Sequence, residues 1–318
     1  MTRGAKLAML TAIVALAFAL SLVAGKQWLP LDPDAATAIL VELRLPRALL
    51  GLVLGGVLGL SGAVLQGYLR NPLADPAVVG VSSSAALGAV AAILYAGNAS
   101  LVVFIAAMLG AGGAMALLAA LTWRAASPIA FILAGTVLSS LAGALTAFLI
   151  STAADPYAVA SVLDWLMGAL TDRSLDDAAR AIPPMLIGAG VLLLTARSLD
   201  ALTLGEEAAR SLGVRLGRLQ ALVVTGTGLT IGAGVAVTGV VGFVGLVVPH
   251  LLRPVFGHRP SDLLVPSALG GSALVLVADS LCRLAPGAGE VRLGVVMALI
   301  GAPFFLALLV RHRSRAWI

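Results

Sequence analysis

The sequence predicts an all-α protein that crosses a membrane about ten times, and three observations support this fold class. Hydrophobic residues make up 60% of the 318 residues and charged residues only 11%, whereas about a quarter of residues in ordinary globular proteins are charged. The mean hydropathy is +1.07. The apolar residues form runs of roughly 20, the length that a helix needs to cross a bilayer. These runs predict one transmembrane domain over residues 1–318 and no sizeable soluble domain.

Ten runs are apolar enough to be predicted as spans. Each ends where charged residues, prolines or glycines interrupt it. An even number of spans places both chain ends on the same side of the membrane. The predicted spans are residues 7–25, 48–69, 77–96, 100–122, 128–151, 181–197, 219–239, 242–256, 264–284 and 293–310.

The first run has two interpretations. Arg3 and Lys6 precede the apolar residues 7–24, which is also how a secretory signal peptide begins. The run is longer than the apolar region of a usual signal peptide, and the sequence after it is itself rich in apolar runs. We therefore expect a retained first helix.

A tight polar loop is predicted between the second and third spans. The loop combines two charges, an amide and two prolines, a composition typical of turns. Its sequence is Arg70-Asn71-Pro72-Leu73-Ala74-Asp75-Pro76. Uncharged apolar runs flank it on both sides, so we expect it to lie at a membrane surface.

The eighth run is short, and its second half contains Pro249, His250 and Arg253. Proline interrupts helices, and charged side chains are rare inside membranes. The run therefore predicts either a short span or a helix that is only partly embedded.

The loop charges indicate the orientation. With cytoplasmic termini, the predicted inner loops and ends carry 13 Lys and Arg against 5 Asp and Glu, and the outer segments carry 7 against 10. Cytoplasmic loops of membrane proteins carry an excess of Lys and Arg. We therefore expect both chain ends to be cytoplasmic; the bacterial inner membrane as the location is implied by the resemblance described below.

Glycines recur at four-residue spacing, as in Gly51/Gly55/Gly59 and Gly228/Gly232. Small residues at this spacing let membrane helices approach closely. The pattern predicts tight helix packing, and it also suits a bundle whose helices move.

Several function classes are excluded or disfavoured by missing patterns. The sequence lacks the glycine-rich Walker A loop, so ATP hydrolysis by that route would need a separate subunit. The three histidines lack metal-ligand spacing, and a single cysteine, Cys282, permits no disulfide within the chain. The basic residues are spread among loops instead of forming one nucleic-acid-binding face. We therefore predict no catalytic residues, no metal site and no nucleic-acid partner.

The longest predicted cytoplasmic loop, residues 198–218, reads as two short helices separated by glycines. In its centre, acidic residues begin a helix and a glycine ends it, both favourable choices. Glu206 and Arg210 have the i,i+4 spacing of a helical ion pair. From charge pattern alone, a solvated loop and a docking surface are both open. The central residues are Leu204, Gly205, Glu206, Glu207, Ala208, Ala209, Arg210, Ser211, Leu212 and Gly213.

This segment belongs to an ordered set of motifs that covers nearly the whole chain. With these motifs the chain resembles the permease subunits of type II ABC importers for vitamin B12, haem and ferric siderophores. The other motifs are Arg44-Leu45-Pro46-Arg47, Ser61-Gly62-Ala63-Val64-Leu65-Gln66, the loop from Arg70 to Pro76, Gly242-Phe243-Val244-Gly245-Leu246-Val247-Val248-Pro249-His250, Leu276-Val277-Ala278-Asp279 and Gly301-Ala302-Pro303-Phe304.

The resemblance implies a ten-helix subunit that pairs with a second copy of itself in the membrane lipid. It also implies two cytoplasmic ATPase subunits, which would hold ATP and Mg and would bind residues 204–213, and a periplasmic substrate-binding protein. No cofactor is then expected on this chain. The coupling role of residues 204–213 follows from the resemblance alone.

The resemblance also implies that Arg44, Arg47 and Arg283 meet glutamates of the binding protein on the outer side. Charge pairing of this kind favours orientation and association rate. Two alternatives stay open. Arg44 and Arg47 could extend to the membrane interface, and Arg283 could pair with Asp279 one helical turn earlier.

Small hydroxyl residues mark the third and fifth spans. In the family that the chain resembles, these helices line the pathway and its cytoplasmic gate, which makes Ser83, Ser84 and Thr146 the candidate gate residues. Packing between helices, or a hydrogen bond back to the preceding turn, would also explain these hydroxyls.

Residues 152–178 are expected to lie outside and to include a short helix at the mouth of the pathway.

One departure from the family pattern is Arg292, which stands where relatives often have proline. It could add to the docking charge or pair with Glu290.

The resemblance implies a bulky metal chelate as cargo, with a ferric siderophore first, then haem, then cobalamin. A second class of function is an ion-gradient transporter, for which Asp279 is the obvious intramembrane charge. A third is a structural or receptor protein, which would leave the inner loop and the outer arginines without a joint purpose.

Overall fold

The computed structural model describes residues 2–25, 32–122, 128–286 and 289–315, and every regular element in these residues is helical. A π-helical stretch, Ile39–Arg44, joins α2 to α3, and a 3₁₀ turn, Pro76–Val79, precedes α4. The helices are α1 Arg3–Val23, α2 Pro33–Ala38, α3 Leu45–Tyr68, α4 Val81–Tyr95, α5 Ser100–Thr122, α6 Pro128–Ser151, α7 Pro156–Leu166, α8 Leu175–Leu193, α9 Ala196–Leu202, α10 Glu206–Ser211, α11 Leu216–Thr238, α12 Val244–Phe256, α13 Pro260–Leu284 and α14 Leu293–Arg315.

The all-α membrane fold class is confirmed. Among the described residues, six helical segments are long and apolar enough to span a bilayer, and the bent pair α8 and α9 makes a seventh. Two more apolar helices, Val81–Tyr95 and Val244–Phe256, and the apolar part of α14, Leu293–Leu308, are shorter. The count of ten spans stays a prediction.

The helical segment that contains the predicted second span begins well before residue 48, where the apolar run starts. The chain is helical without a break from Pro33 to Tyr68. Asp32 accepts a hydrogen bond from Asp34 N–H and Pro33 occupies the first turn, a strong helix start. The predicted span kept only the uncharged run, whereas the helix also includes the charged residues before it.

Helix α8 begins six residues before the predicted sixth span. Ser174 and Asp177 form a reciprocal capping box that starts the helix at Leu175. At its other end the chain bends by 43° into α9. The bend separates the membrane-length helix from the short helices that follow.

Helix α3 is the centre of the bundle, and α13 packs along it through glycines. A Cβ added at Gly55 would lie 2.3 Å from the carbonyl oxygen of Gly271, and one at Gly59 would lie 2.0 Å from that of Ser267. In α11, a Cβ added at Gly232 would lie 2.7 Å from the Ala111 Cβ of α5. The close helix approach predicted from glycine spacing is confirmed.

Changing Gly59 to alanine is expected to lower the free energy of unfolding by about 1–3 kcal/mol, or more if α13 cannot move. The reason is the 2.0 Å approach to a backbone oxygen, which no rotamer change relieves. Thermal unfolding of the purified protein in detergent would measure the loss. Gly112→Ala is the matched control, since a Cβ there meets nothing within 4 Å. Equal losses in both variants would contradict the packing argument.

Helix α12 is too short to span a bilayer, because its 13 residues extend only about 20 Å. The chain enters it through two left-handed backbone positions, Gly239 at φ 70° and Phe243 at φ 67°. Residues 244–249 are all buried, and Gly245 packs against Gly62 of α3. Helix α12 therefore begins inside the bundle.

Candidate functional site

Polar contacts divide the helix connections between two opposite ends of the bundle. At the first, Lys6 Nζ donates to the Val255 carbonyl oxygen at 2.5 Å, and Arg3 lies 2.6 Å from Asp262. We name this the basic end, formed by residues 2–6, 69–76, 194–215 and 257–262. The opposite end is formed by residues 24–25, 168–174, 285–286 and 289–292, and we name it the acidic end because the predicted outer segments together carry 10 Asp and Glu against 7 Lys and Arg.

The candidate coupling segment at the basic end has the predicted local structure. Helix α10 has Glu206 and Glu207 in its first turn and Arg210 in its last, so its charges complement the helix dipole. Glu206 and Arg210 approach to 4.0 Å, as their spacing predicted. Gly213, at φ 87°, ends the segment, and the N–H of Val214 reaches back to the Ala209 carbonyl.

Helix α10 presents one small buried side chain and two large exposed ones. Ala209 is fully buried, and α9 is the main neighbour of this helix. Leu204 and Leu212, at its two ends, are 67% and 64% exposed. Exposed apolar side chains on a charged loop are what a protein partner would cover.

The polar loop after α3 lies beside α10. Arg70 approaches Glu206 to 3.7 Å. The Asn71 side chain accepts a hydrogen bond from Leu73 N–H, and that of Asp75 accepts one from Ala77 N–H, so both form the predicted tight turns. Burial raises the pKa of the Asp75 carboxyl, although the N–H groups of Ala77 and Leu246 counteract the rise.

Gln66 connects α3, this loop and α12. Its Nε2 donates to the Gly245 carbonyl at 3.1 Å, and its Oε1 accepts from Arg253 at 2.7 Å. Sequence reasoning quoted Gln66 only as part of a motif. An amide inside an otherwise apolar helix is the signal that could have indicated this role, since buried amides need partners.

Asp200 connects α9 to the start of α13. Its carboxylate accepts from Ser261 N–H at 2.9 Å and from Arg259 Nε at 2.7 Å. Burial alone would raise its pKa, but these donors outweigh burial and leave the pKa lowered. The short helix that carries the coupling segment is thus held to a membrane-length helix.

The acidic end contains a buried ion cluster. Asp279 of α13 accepts hydrogen bonds from Arg47 Nε and Nη2, at 3.0 and 2.9 Å, and from Arg283 at 2.8 Å. Arg47 Nη1 also lies 2.8 Å from Glu290. The side chains of Arg47, Asp279 and Arg283 are only 9%, 2% and 4% exposed. The i,i+4 pairing of Arg283 with Asp279, left open from the sequence, is therefore present.

Two arginines of this region also cap the end of α1. Arg44 donates to the carbonyl oxygens of Leu22 and Val23 at 3.0 and 2.7 Å. Arg283 donates to the carbonyl oxygens of Ser21 and Ala24 and to the Ser21 hydroxyl. The last carbonyls of a helix lack partners within it, and cations there favour the dipole.

The three candidate docking residues thus lie together, but none projects freely from the chain. Arg44, Arg47 and Arg283 are between 4% and 8% exposed as whole residues. All three line a cavity of about 270 Å³ that also borders Arg173 and Glu290. Their docking role stays a prediction, and any partner would have to reach them through this cavity.

A second cavity of about 290 Å³ lies beside the first, and Thr171, Asp172 and Arg173 border both. Helix α7 contributes Asp164 to it, and this carboxylate pairs with Arg292. Residues 152–178 therefore contain the expected short helix. Arg292 does not take Glu290 as its ion-pair partner, since Glu290 pairs with Arg47.

The candidate gate residues lie on α4 and α6. Ser84 is buried, and its carbonyl oxygen packs against Gly110 of α5, whereas Ser83 is half-buried. The Thr146 hydroxyl donates to the Ala142 carbonyl at 2.8 Å, one turn earlier. The α6 hydroxyl that reaches the segment before α4 is instead Ser139, which donates to Ala77 O at 3.5 Å. The gate role of Ser83, Ser84 and Thr146 stays a prediction.

Within the described ranges, no group of three or more His, Cys, Asp or Glu side chains could hold a metal ion. The arrangement offers instead an exposed charged helix at the basic end and a cationic cavity at the acidic end. Both features suit recognition of partners.

Comparison with known proteins gives one consistent result. The sequence profile of the FecCD transport family matches residues 7–311. The cobalamin import system permease protein BtuC of Halobacterium salinarum is 42% identical over 286 residues, which cover 89% of this chain and 76% of that protein.

Two further relatives are named for other cargoes. The Fe(3+) dicitrate transport system permease protein FecD of Escherichia coli is 40% identical, with 86% of each chain covered. The hemin transport system permease protein HmuU of Yersinia pestis is 36% identical, with 93% of this chain and 90% of that protein covered.

A solved structure has the same fold. It is described as an inward-facing conformation of a metal-chelate type ABC transporter, and it matches with a TM-score of 0.90 at 32% sequence identity. The match covers 97% of this chain and 99% of the other.

Proposed function

The chain belongs to the FecCD transport family, and from this premise we propose that it is the permease subunit of an ATP-driven importer. In this proposal two copies of the chain form a pathway across the bacterial inner membrane, with both termini cytoplasmic. Two separate ATPase subunits hydrolyse ATP below it, and a substrate-binding protein delivers cargo from the periplasm.

The proposal rests on the structure and the exposed side chains of the segment around α10. A six-residue helix with two acidic residues first and an arginine last is fixed to the bundle through Ala209 and exposes Leu204 and Leu212. A solvated loop does not need two leucines more than 60% exposed beside a rigid charged helix. A docking surface for the ATPase does, because apolar contacts supply affinity and charges supply orientation.

Movement of α10 reaches the bundle through short connections. Asp200 holds α9 to the start of α13, and Arg70 approaches Glu206 from the end of α3. Closure of the ATPase pair would push α10 and tilt α3 and α13 together, since these two helices pack closely through their glycines. The pathway would then open alternately to each side.

The cargo that we propose is a bulky metal chelate. The relatives with 42%, 40% and 36% identity are named for cobalamin, ferric dicitrate and hemin, three members of this class. The sequence identities of these relatives do not indicate which of the three cargoes this chain carries. A ferric siderophore stays the first prediction within the class, followed by haem and then cobalamin.

Ion-gradient transport is the competing class, and its candidate residue was Asp279. That carboxylate is 2% exposed and already accepts hydrogen bonds from two arginines. A proton or sodium carrier needs a site that can gain and release its ion. The contacts of Asp279 therefore favour a structural role.

Uptake into proteoliposomes tests the proposal. The chain would be reconstituted with the ATPase and binding protein encoded beside it, and a panel of ferric siderophores, haem and cobalamin would be offered. Uptake of one chelate should require ATP, the ATPase and the binding protein, and should ignore an imposed proton or sodium gradient. Gradient-driven uptake by this chain alone would overturn the proposal.

A further inference from the structure

Arginines dominate the charged lining of the cavity at the acidic end, and one of them, Arg47, already pairs with Glu290 of the same chain. Four arginines line the cavity against two carboxylates, and Asp279, which pairs with Arg47 and Arg283, adds a third, so one positive charge is in excess. A cluster with this excess of cations attracts a further carboxylate. The lining residues with charge are Arg44, Arg47, Arg173, Arg283, Asp172 and Glu290.

The two counter-ions of Arg47 differ in how firmly they are held. Asp279 is 2% exposed, lies on the long helix α13, and is shared by two arginines. Glu290 is 26% exposed, lies on the non-helical segment between α13 and α14, and meets one arginine through Nη1 alone. Asp279 is therefore a permanent partner, whereas Glu290 can be replaced without opening the core.

We propose that Glu290 is an internal stand-in for the docking carboxylate, and that docking exchanges one for the other on Arg47. The inference rests on the proposed function, since it assumes that a periplasmic binding protein presents a carboxylate here. In the free permease, Glu290 neutralises Arg47. When the binding protein docks, its carboxylate takes that place and Glu290 leaves.

Departure of Glu290 would loosen the outer mouth. Glu290 accepts a hydrogen bond from Thr171 at 3.0 Å, and two residues later Arg292 pairs with Asp164 of α7. The N–H of Gly294 then donates to the Gly168 carbonyl at 3.1 Å. The segment carrying Glu290 thus connects the arginine cluster to residues 164–171, and the exchange would signal docking to that region.

Glu290 can compete with a docking carboxylate for Arg47 because it is ionised at neutral pH. Burial would raise its pKa, but Arg47 and the Thr171 hydroxyl outweigh burial and leave the pKa lowered. The exchange therefore replaces one carboxylate by another and changes no proton count.

Glu290→Gln tests the exchange. The variant keeps the size of the side chain and an oxygen that can accept from Thr171, and it removes the charge that holds the segment on Arg47. Association with the purified binding protein, measured on permease in nanodiscs, is expected to tighten about tenfold, since coupling between close interfacial charges reaches this size. Glu42→Gln is the matched control, because it removes the same charge from an exposed residue on the π-helical stretch before Arg44, outside the cavity lining.

Amide hydrogen exchange provides a second measurement, and a purely electrostatic effect of the lost charge would not change it. Amides of residues 164–173 should exchange faster in Glu290→Gln than in the parent, and faster in the parent once the binding protein docks. Weaker or unchanged association in Glu290→Gln, or equal tightening in Glu42→Gln, would overturn the exchange.

The variant Arg47→Gln distinguishes a failure of the proposed exchange from a failure of the proposed function. If docking uses the cavity, Arg47→Gln should weaken association, and adding Glu290→Gln to it should give no tightening. If Arg47→Gln leaves association unchanged, the docking site itself is wrong. If Arg47→Gln weakens association but Glu290→Gln does not tighten it, docking stands and the exchange is refuted.

Discussion

Ala209→Glu is expected to lower ATP-driven uptake by roughly 100-fold or more while the chain still inserts into the membrane. Ala209 is the one fully buried residue of α10, and its methyl group packs the helix against the bundle. A carboxylate there would be buried without a partner, which costs several kcal/mol, so the short helix would detach instead. Each 1.4 kcal/mol lost from productive coupling is about a factor of ten in rate.

The measurement is uptake in proteoliposomes, together with the ATPase rate of the assembled complex. Uptake should fall while ATP hydrolysis becomes independent of the binding protein, since hydrolysis and transport lose their mechanical link. Gly4→Glu is the control, because it adds the same charge at the basic end in open space, with nothing within 4 Å. Uptake that survives Ala209→Glu would contradict the coupling role.

A surface variant keeps this prediction testable should Ala209→Glu fold poorly. Leu204→Ser combined with Leu212→Ser changes two side chains that are 67% and 64% exposed, so the fold should be unaffected. Co-purification with the ATPase should be lost or strongly reduced. Retention of the ATPase at parental affinity would show that these leucines face no partner.

Local signals were sufficient to predict this helix from the sequence. Acidic residues, an i,i+4 pair and a terminal glycine lie within ten residues, and each acts on its own neighbours. The same holds for α5 and α6, whose predicted bounds, residues 100–122 and 128–151, are the observed ones. Long uncharged runs with abrupt ends leave few alternatives.

The segment before α3 shows where this reasoning fails. Residues 33–44 contain Asp34, Glu42 and Arg44, and because of these charges the predicted second span began only at residue 48. The helix forms because Asp32 and Pro33 start it well and because Arg44 has partners at the end of α1. Those partners are more than 20 residues away in sequence, so no local pattern contains them.

Only part of the ion cluster could be predicted from the sequence, for the same reason. Arg283 and Asp279 share a helical turn, and their pairing could be considered from spacing alone. Arg47 and Asp279 are 232 residues apart, and their bond exists only because glycines bring α3 and α13 into contact. Tertiary packing, more than propensity, decided which charges could be buried.

Asp279→Ala is expected to be the most destabilising single substitution at this end, costing about 3–5 kcal/mol. It removes the carboxylate that accepts from both Arg47 and Arg283, and it leaves Glu290, which pairs with Arg47, as the one carboxylate of the described cluster beside two buried guanidinium groups. For a chain of this size the loss should lower Tm by roughly 5–15 °C in detergent. Asp164→Asn is the control, since its pair with Arg292 is half exposed and should contribute about 0–1 kcal/mol.

Replacing the whole cluster distinguishes stability from function. A triple variant, Arg47→Met with Asp279→Leu and Arg283→Met, removes the charges together, and a packed apolar cluster of similar volume is often as stable as a buried ion pair or more so. The triple variant should therefore regain most of the Tm that Asp279→Ala loses, yet remain unable to bind the substrate-binding protein. Recovery of both properties would show that these charges serve folding alone. Recovery of neither would show that the arginine caps on the end of α1, which the triple variant also weakens, matter more to the fold than the ion pairs do.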